Sequence, residues 1–386
     1  MSDVVLFETL PLEKMSAEQV LTKQVSSKKN QYLALVTLNV ETTLNSLSLE
    51  MIELLSEQLT VWRDDESIVA VFFQGAGDRA FCAGGDIQAL YHSMIEHPGG
   101  PNPYADAFFE KEYKLDYLIH TYPKPTIAWA HGIIMGGGLG IMGACDYRIG
   151  TERTRIAMPE ITIGLFPDAG ATWLFSRMAK SWAYFIALTA CTLNAQDALK
   201  VSLINHLSLH ETKDAFIKTL LASNWSGSAR DIVISGLPEI TEADSLFPQS
   251  KLAQYNVLIE NLMTRCFSEN NFIASFAKEI ALLPNDTWLE KAAQSFLHGS
   301  PTTAQIIERQ FSESEGKSLK EMLETELVIA VQCARRKDFS EGVRALLIEK
   351  DNKPDWRYKT LGQVPSTWID EHFTPPWDNN PLENLS

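Results

Sequence analysis

In the run MPEITIGLFPDAG, Met158 to Gly170, two carboxylates, Glu160 and Asp168, stand among Ile, Leu, Phe and Pro. An unpaired charge in such surroundings costs several kcal/mol, so acids placed there are either bonded to backbone N–H groups or kept for chemistry. Burial among Ile161, Ile163, Leu165 and Phe166 raises a carboxylate's pKa, and a second acid nearby raises one of the two further. The two would then titrate as a coupled pair. Such a pair suits a reaction that needs a nucleophile or general base together with a group that moves protons.

Two glycine-rich segments could supply the remaining part. DRAFCAGGDIQALY carries apolar residues into Ala83-Gly84-Gly85-Asp86 and then a helical pattern, and HGIIMGGGLGIMGACDY places Gly136, Gly137 and Gly138 at a second strand-to-helix junction. Glycine lets a ligand approach exposed N–H groups, and two junctions can each aim one N–H at a single oxygen, the requirement of an oxyanion hole. Each loop taken alone reads first as a tight turn with close helix–strand packing. Neither is read as a dinucleotide or P-loop site, and no Gly-Lys-Ser/Thr follows either loop. Asp86 reads as a loop pin rather than a substrate contact, His131 as a structural residue, and Cys82 as a small buried thiol without a triad partner.

The elements that must position these residues alternate. QYLALVTLNV (31–40) reads as a strand after a polar lead-in ending in SSKKN, LNSLSLEMIELLSEQLTVW as a helix with Ser48 as N-cap, and IVAVFFQG (68–75) as a second strand. A glycine loop, a helical region ending near Tyr122, the strand TIAWAHG and the second glycine turn repeat the order, which indicates an α/β fold. From Leu188 onward the pattern is mostly helical, with GLPEITEADSLFPQS (236–250) as a loop-rich passage. The reading therefore divides the chain into an α/β core over 26–225 and a helical C-terminal region over 226–386.

A chain of 386 residues with 45% apolar content buries a sizeable core. Its 49 acidic and 33 basic residues leave a net charge of −16, which argues against broad binding to nucleic acid or an anionic membrane. Five scattered cysteines without CxxC spacing argue against a disulfide framework or zinc site and for a reducing compartment, taken as cytoplasmic because no leader pattern is apparent at the N-terminus. No apolar run is long enough for a membrane span.

FCAGGDI, HGIIMGGGLGIMGACDYRIGTE and AMPEITIGLFPDAGATWLFSR together resemble successive signature segments of the crotonase (enoyl-CoA hydratase/isomerase) superfamily. Paired MPE and FPD, FFEKEYKLD and the C-terminal DFSEGVRALLIEKDNKPDW resemble, within it, the 3-hydroxyisobutyryl-CoA hydrolase group. The resemblance implies a crotonase-like spiral of ββα units with C-terminal helices covering the acyl pocket or a subunit interface, and an acyl-CoA substrate with no metal or redox cofactor. It implies a homo-oligomer as one option, since crotonases form trimers or hexamers. It places the oxyanion donors on the N–H groups of Gly85 and Gly137, and substrate contacts at Glu112, which on its own reads as a solvated helix residue, at Ala83 and, for the CoA phosphates, at Arg79. A hydratase of this pattern carries one catalytic Glu just after the triple glycine and a second in the PE dipeptide; here the first position is Gly140 and the second Glu160, while Asp168 stands where hydratases commonly have glycine. LNVETTLNSLSLEM lacks the family's usual Pro near the start of its loop. The expected activity is hydrolysis of a short β-hydroxyacyl-CoA, 3-hydroxyisobutyryl-CoA of valine breakdown, with Glu160 as nucleophile or general base and Asp168 orienting substrate or water. Hydration or isomerisation of an enoyl-CoA, and silent acyl-CoA binding, are the alternatives.

Overall fold

The computed structural model describes residues 3–13, 30–237 and 246–385. Most of the SSKKN lead-in, which opens the expected core unit, and residues 238–245 of the loop-rich passage lie outside the described residues. The chain begins with β1 (Val5–Pro11), β2 (Tyr32–Leu38) and α1 (Leu49–Asp64). In α1 the residues Met51, Ile52, Leu55, Leu59 and Trp62 fall on one stripe and are buried, as the 3.6-residue period requires. Ser48 caps it, its hydroxyl accepting from the Met51 N–H at 3.1 Å.

A repeated step then builds the molecule. β3 (Ile68–Gly75) is followed by the short β4 (Ala80–Cys82) and α2 (Ile87–Glu96); after α3 (Pro103–His120), β5 (Thr126–Ala130) is followed by β6 (Ile133–Met135) and α4 (Gly137–Ala144). β7 (Tyr147–Gly150) and β8 (Arg155–Ala157) repeat the pair and lead into a 3-10 turn, Glu160–Ile163, and α5 (Ala171–Phe175). The first strand of each pair joins a six-stranded sheet, the second a four-stranded one, completed by β9 (Leu193–Asn194) and β10 (His206–Leu207). Orders are β1-β2-β3-β5-β7-β10 and β4-β6-β8-β9. Pairing is parallel except for β1 on β2 and β9 on β8. This is the expected α/β spiral of ββα steps.

Three strands differ from the sequence reading. β1 lies in what reads as polar lead-in, because VLFETLP is mostly exposed; its partner is the edge of β2, with Val5 opposite Leu38. β9 and β10 are two-residue strands inside a stretch read as helical, held by pairing to β8 and β7 rather than by their own pattern.

Apolar packing is continuous from β2 through the C-terminal helices to Leu382. The Leu319–Ala334 helix packs on α3, and the Lys337–Val343 helix on the Glu160–Ile163 turn. That second contact is close: a Cβ at Gly342 would lie within 2.5 Å of Ile163 Cα. No helix among the described residues is long and apolar enough to cross a membrane. All five cysteines are buried and unpaired.

Candidate active site

Both glycine loops open onto one cavity of about 290 Å³. Ala83, Gly85, Glu112, Gly137, Glu160 and Asp168 line it, and Phe108, Phe109, Leu346 and Leu347 supply apolar wall. At the first loop, the Ala83 N–H donates to Leu44 O at 3.0 Å and the Asp86 N–H to Leu47 O at 2.8 Å, leaving Gly85 between them without an acceptor among the described residues. Asp86 is the loop pin expected of it, its carboxylate accepting from Ala89 N at 3.0 Å. Gly137 opens α4, where Leu139 and Gly140 turn their N–H groups back to Gly136 O, and its own N–H has no acceptor among the described residues. A first-turn N–H is free by geometry and carries the positive end of the helix dipole. Glycine at 137 lets Glu112 lie against it, because a Cβ there would meet Glu112 Oε1 and push that side chain aside.

Glu112 comes from α3, which starts with Pro103 behind the N-cap Asn102 and buries Phe108, Phe109, Glu112, Tyr113 and Asp116. It is not a solvated helix residue: only 3% of its surface is exposed. Burial, then the charges of Asp168 and Glu326, push its carboxyl well above the usual range. Asp116, one turn on, is fully buried, both its carboxylate oxygens without a hydrogen-bond partner among the described residues, and is pushed up well above its usual range by burial, then by Glu112.

Glu160 begins the 3-10 turn after β8, at 4% exposure, and its Oε2 has no hydrogen-bond partner among the described residues. Burial and then Asp168 hold its carboxyl well above the ordinary value. Asp168 is equally buried but partnered: the Tyr113 hydroxyl donates to its Oδ2 at 2.6 Å. Burial raises Asp168 to about 6, with the Tyr113 bond opposing the rise. The two acids are therefore unlike, Asp168 the readier to ionise and Glu160 the readier to keep a proton.

The turn after Asp168 is held from the C-terminal half of the chain. Ala169 and Gly170 both take positive φ, 53° and 79°, and for Ala169 this is a strained conformation. Glu326 accepts from Gly170 N at 2.8 Å, Thr172 N at 2.9 Å and Thr172 Oγ1 at 2.5 Å; Gln310 Nε2 donates to Pro167 O at 2.9 Å. Burial lifts Glu326 to about 7 against these bonds.

Gly140 leaves no room for a carboxylate, since even a Cβ would lie 2.8 Å from Ala169 O and 3.0 Å from Asp116 Oδ1. Arg79 is exposed and outside the cavity lining. Cys82 is buried, its thiol pushed up to about 12, and His131 bonds Gly77 O at 2.9 Å; neither lines the cavity. Among the described residues no group of three or more His, Cys, Asp or Glu side chains is placed to hold a metal ion. Sequence reasoning missed Tyr113, Asp116 and Glu326. Asp116 could have been found from its spacing of one helical turn from Glu112, whereas Glu326 sits in an ordinary amphipathic helix with no local sign of its destination.

Free backbone donors facing an unlike pair of acids are the equipment of carbonyl chemistry. The enoyl-CoA hydratase/isomerase family model matches residues 33–373, and the chain belongs to that family. Over 363 residues it is 32% identical to a human protein, the mitochondrial 3-hydroxyisobutyryl-CoA hydrolase, spanning 93% of this chain and 91% of that protein. The zebrafish (Danio rerio) protein of the same name is 33% identical over 342 residues, 88% of this chain and 86% of its own. A solved structure of a carnitinyl-CoA dehydratase from Mycobacterium thermoresistibile superposes with a TM-score of 0.79 at 29% identity, covering 91% of this chain and 96% of that one.

Proposed function

We propose that this protein hydrolyses a short β-hydroxyacyl-CoA thioester, 3-hydroxyisobutyryl-CoA of valine breakdown, to the free hydroxy acid and CoA. The observation that carries this reading is the pairing of Glu160 with Asp168 in one cavity beside the free Gly85 and Gly137 N–H groups. Those two N–H groups act as the oxyanion hole for the thioester oxygen, a role in which one donor is worth ~10²–10³ in rate. Glu112 meets the substrate's hydroxyl at the polar end of the pocket, Ala83 lies along the thioester arm, and Arg79, outside the cavity, meets the CoA phosphates.

In the covalent form of the reaction Glu160 passes its proton to Asp168 and attacks the carbonyl carbon. The tetrahedral intermediate collapses with cleavage of the C–S bond, and the departing thiolate takes the proton from Asp168. Water then adds to the acyl carbon of the mixed anhydride, gives a proton to Asp168, and displaces the Glu160 carboxylate, which recovers that proton while the acid product ionises into solvent. In the general-base form Glu160 and Asp168 deprotonate water for direct attack on the thioester. Trapping with hydroxylamine separates the two, since only the anhydride yields a Glu160 hydroxamate. Both forms use water alone, without a metal or redox cofactor, and the C-terminal region covers the chain's own acyl pocket through Leu346 and Leu347.

The rival reading is water addition to an enoyl-CoA, the reverse of the dehydration for which the Mycobacterium neighbour is named. It needs a second acid after the triple glycine, and Gly140 is packed against Ala169 and Asp116. The deciding measurement is thiol release from 3-hydroxyisobutyryl-CoA against hydration of crotonyl-CoA; hydration without thiol release overturns the proposal. Catalytic silence would show itself as CoA-ester binding without turnover, unchanged by Glu160→Gln. A cytoplasmic location is in keeping with five free thiols, and fractionation against the mitochondrial location named for the relatives tests it.

A further inference from the structure

Asp168 is held from two sides by groups that the proposed chemistry does not consume. On one side Tyr113, fully buried on α3, donates its hydroxyl to Asp168 Oδ2 at 2.6 Å. On the other, Glu326 reaches from the Leu319–Ala334 helix, also fully buried, and accepts three hydrogen bonds, all from the two residues Gly170 and Thr172. A buried phenol could be replaced by Phe, and a buried acid 156 residues from its partner is a costly means of closing a turn.

We propose that Tyr113 and Glu326 are positioning residues for thioester hydrolysis, Tyr113 fixing the Asp168 carboxylate directly and Glu326 fixing the strained turn that carries it. The inference rests on the hydrolase reading. Ala169 at φ 53° and Gly170 at φ 79° turn the chain immediately after Asp168, and a backbone in that region persists only where its surroundings hold it. Glu326 supplies that hold through both of its oxygens, Oε2 on Gly170 and Oε1 on Thr172. Gln310 adds a bond to Pro167 O and one to Thr172 Oγ1, so the segment 167–172 is tied to two C-terminal helices.

Tyr113 does something different. A donor on a carboxylate favours its charged form; besides the phenol and its own backbone N–H, Asp168 faces Glu112 and Asp116 from α3, Glu160 from the 3-10 turn, and Glu326 and Cys333 from the Leu319–Ala334 helix, none of which favours ionisation. The phenol therefore helps hold Asp168 ionised, the form that can accept a proton. Without it a larger share of Asp168 is already protonated at a given pH and is not free to take the proton that Glu160 must lose.

The test uses the full chain and 3-hydroxyisobutyryl-CoA. In Tyr113→Phe the acidic limb of the kcat/KM profile moves to higher pH, by about one unit, the size of effect expected from one hydrogen bond to a charged group. At neutral pH the rate falls correspondingly. In Glu326→Gln one oxygen that accepts an N–H becomes an NH₂ group; kcat falls at least tenfold, KM stays within about twofold, and the acidic limb stays in place. If Tyr113→Phe leaves the acidic limb where it is in the wild type, the assignment to Tyr113 is wrong. If Glu326→Gln retains wild-type kcat, or changes KM alone, the assignment to Glu326 is wrong. Should Glu326→Gln fail to fold, Thr172→Val, which removes one of the three donors, is expected to lower kcat two- to fivefold with KM unchanged, and an unchanged kcat overturns the role. Absence of thiol release by the wild type is a separate outcome, overturning the hydrolase reading itself.

Discussion

The two sides of the cavity are built from opposite materials. The donor side, at Gly85 and Gly137, is backbone alone: two short strands, β4 and β6, deliver glycines to helix starts, and the working N–H groups are those left over when neighbouring N–H groups are spent. The acid side is three lining carboxyl groups, Glu112, Glu160 and Asp168, with Asp116 and Glu326 buried outside the lining, and the five come from three separate stretches of chain. One side is local and uncharged, so it costs little to build. The other holds charge out of water, and its arrangement raises every one of those acids above its ordinary range.

The difference says how each side should fail. An acid is broken by removing its oxygen. Glu160→Gln is expected to reduce thiol release on the order of 10⁴-fold or more, the scale on which removal of a nucleophile is felt, with the fold intact. The same variant sharpens the contrast in stability. Because burial raises the folded-state pKa of Glu160 above its unfolded value, the wild type is most favoured below the unfolded pKa and loses stability as pH rises through the folded one. Glu160→Gln, having no proton to lose, should melt about 1–3 °C above wild type at pH 8, the gap closing toward pH 4. Melting curves at the two pH values check this, and a gap that widens in acid contradicts it.

A backbone donor is broken instead by adding an atom. Gly137→Ala would bring a methyl into Glu112 Oε1 and tilt the N–H, with a loss of about 10²–10³ in kcat. Steady-state kinetics test it, and an active Gly137→Ala enzyme would mean that Glu112 yields to the methyl without tilting the N–H. The smallest effect is expected furthest from both sides: Arg79→Gln should raise KM about two- to fivefold at low salt with kcat unchanged, and the difference should fade at high salt, as for any exposed charge.

Much of this was legible before any coordinates. Alternating strands and helices, the two glycine loops and the Glu160/Asp168 pair are local patterns, and local patterns reflect local physics: a period, a cap, a turn. Ser48 and Asp86 hold the backbone N–H groups that their positions suggest. Less was legible where a residue depends on something distant. VLFETLP reads as lead-in because its strand pairing comes from an edge supplied by β2, and Glu112 reads as a surface residue because its neighbours on α3, Glu110 and Lys111, are polar. Its side chain instead lies against Gly137 at the start of α4, in the lining of the cavity.

By itself the sequence determined which residues could act: two acids in an apolar run, two loops able to expose an N–H, and a glycine at 140 where a second acid would be needed for hydration. Only the tertiary structure decided how they divide the work. Tyr113 and Glu326 reach Asp168 and its turn from 55 and 156 residues away, and no periodicity links positions that far apart. The physical reason is that a carboxylate's charge state is set by what lies within a few ångströms of it in space, and in this chain those neighbours come from α3, the 3-10 turn and a C-terminal helix at once.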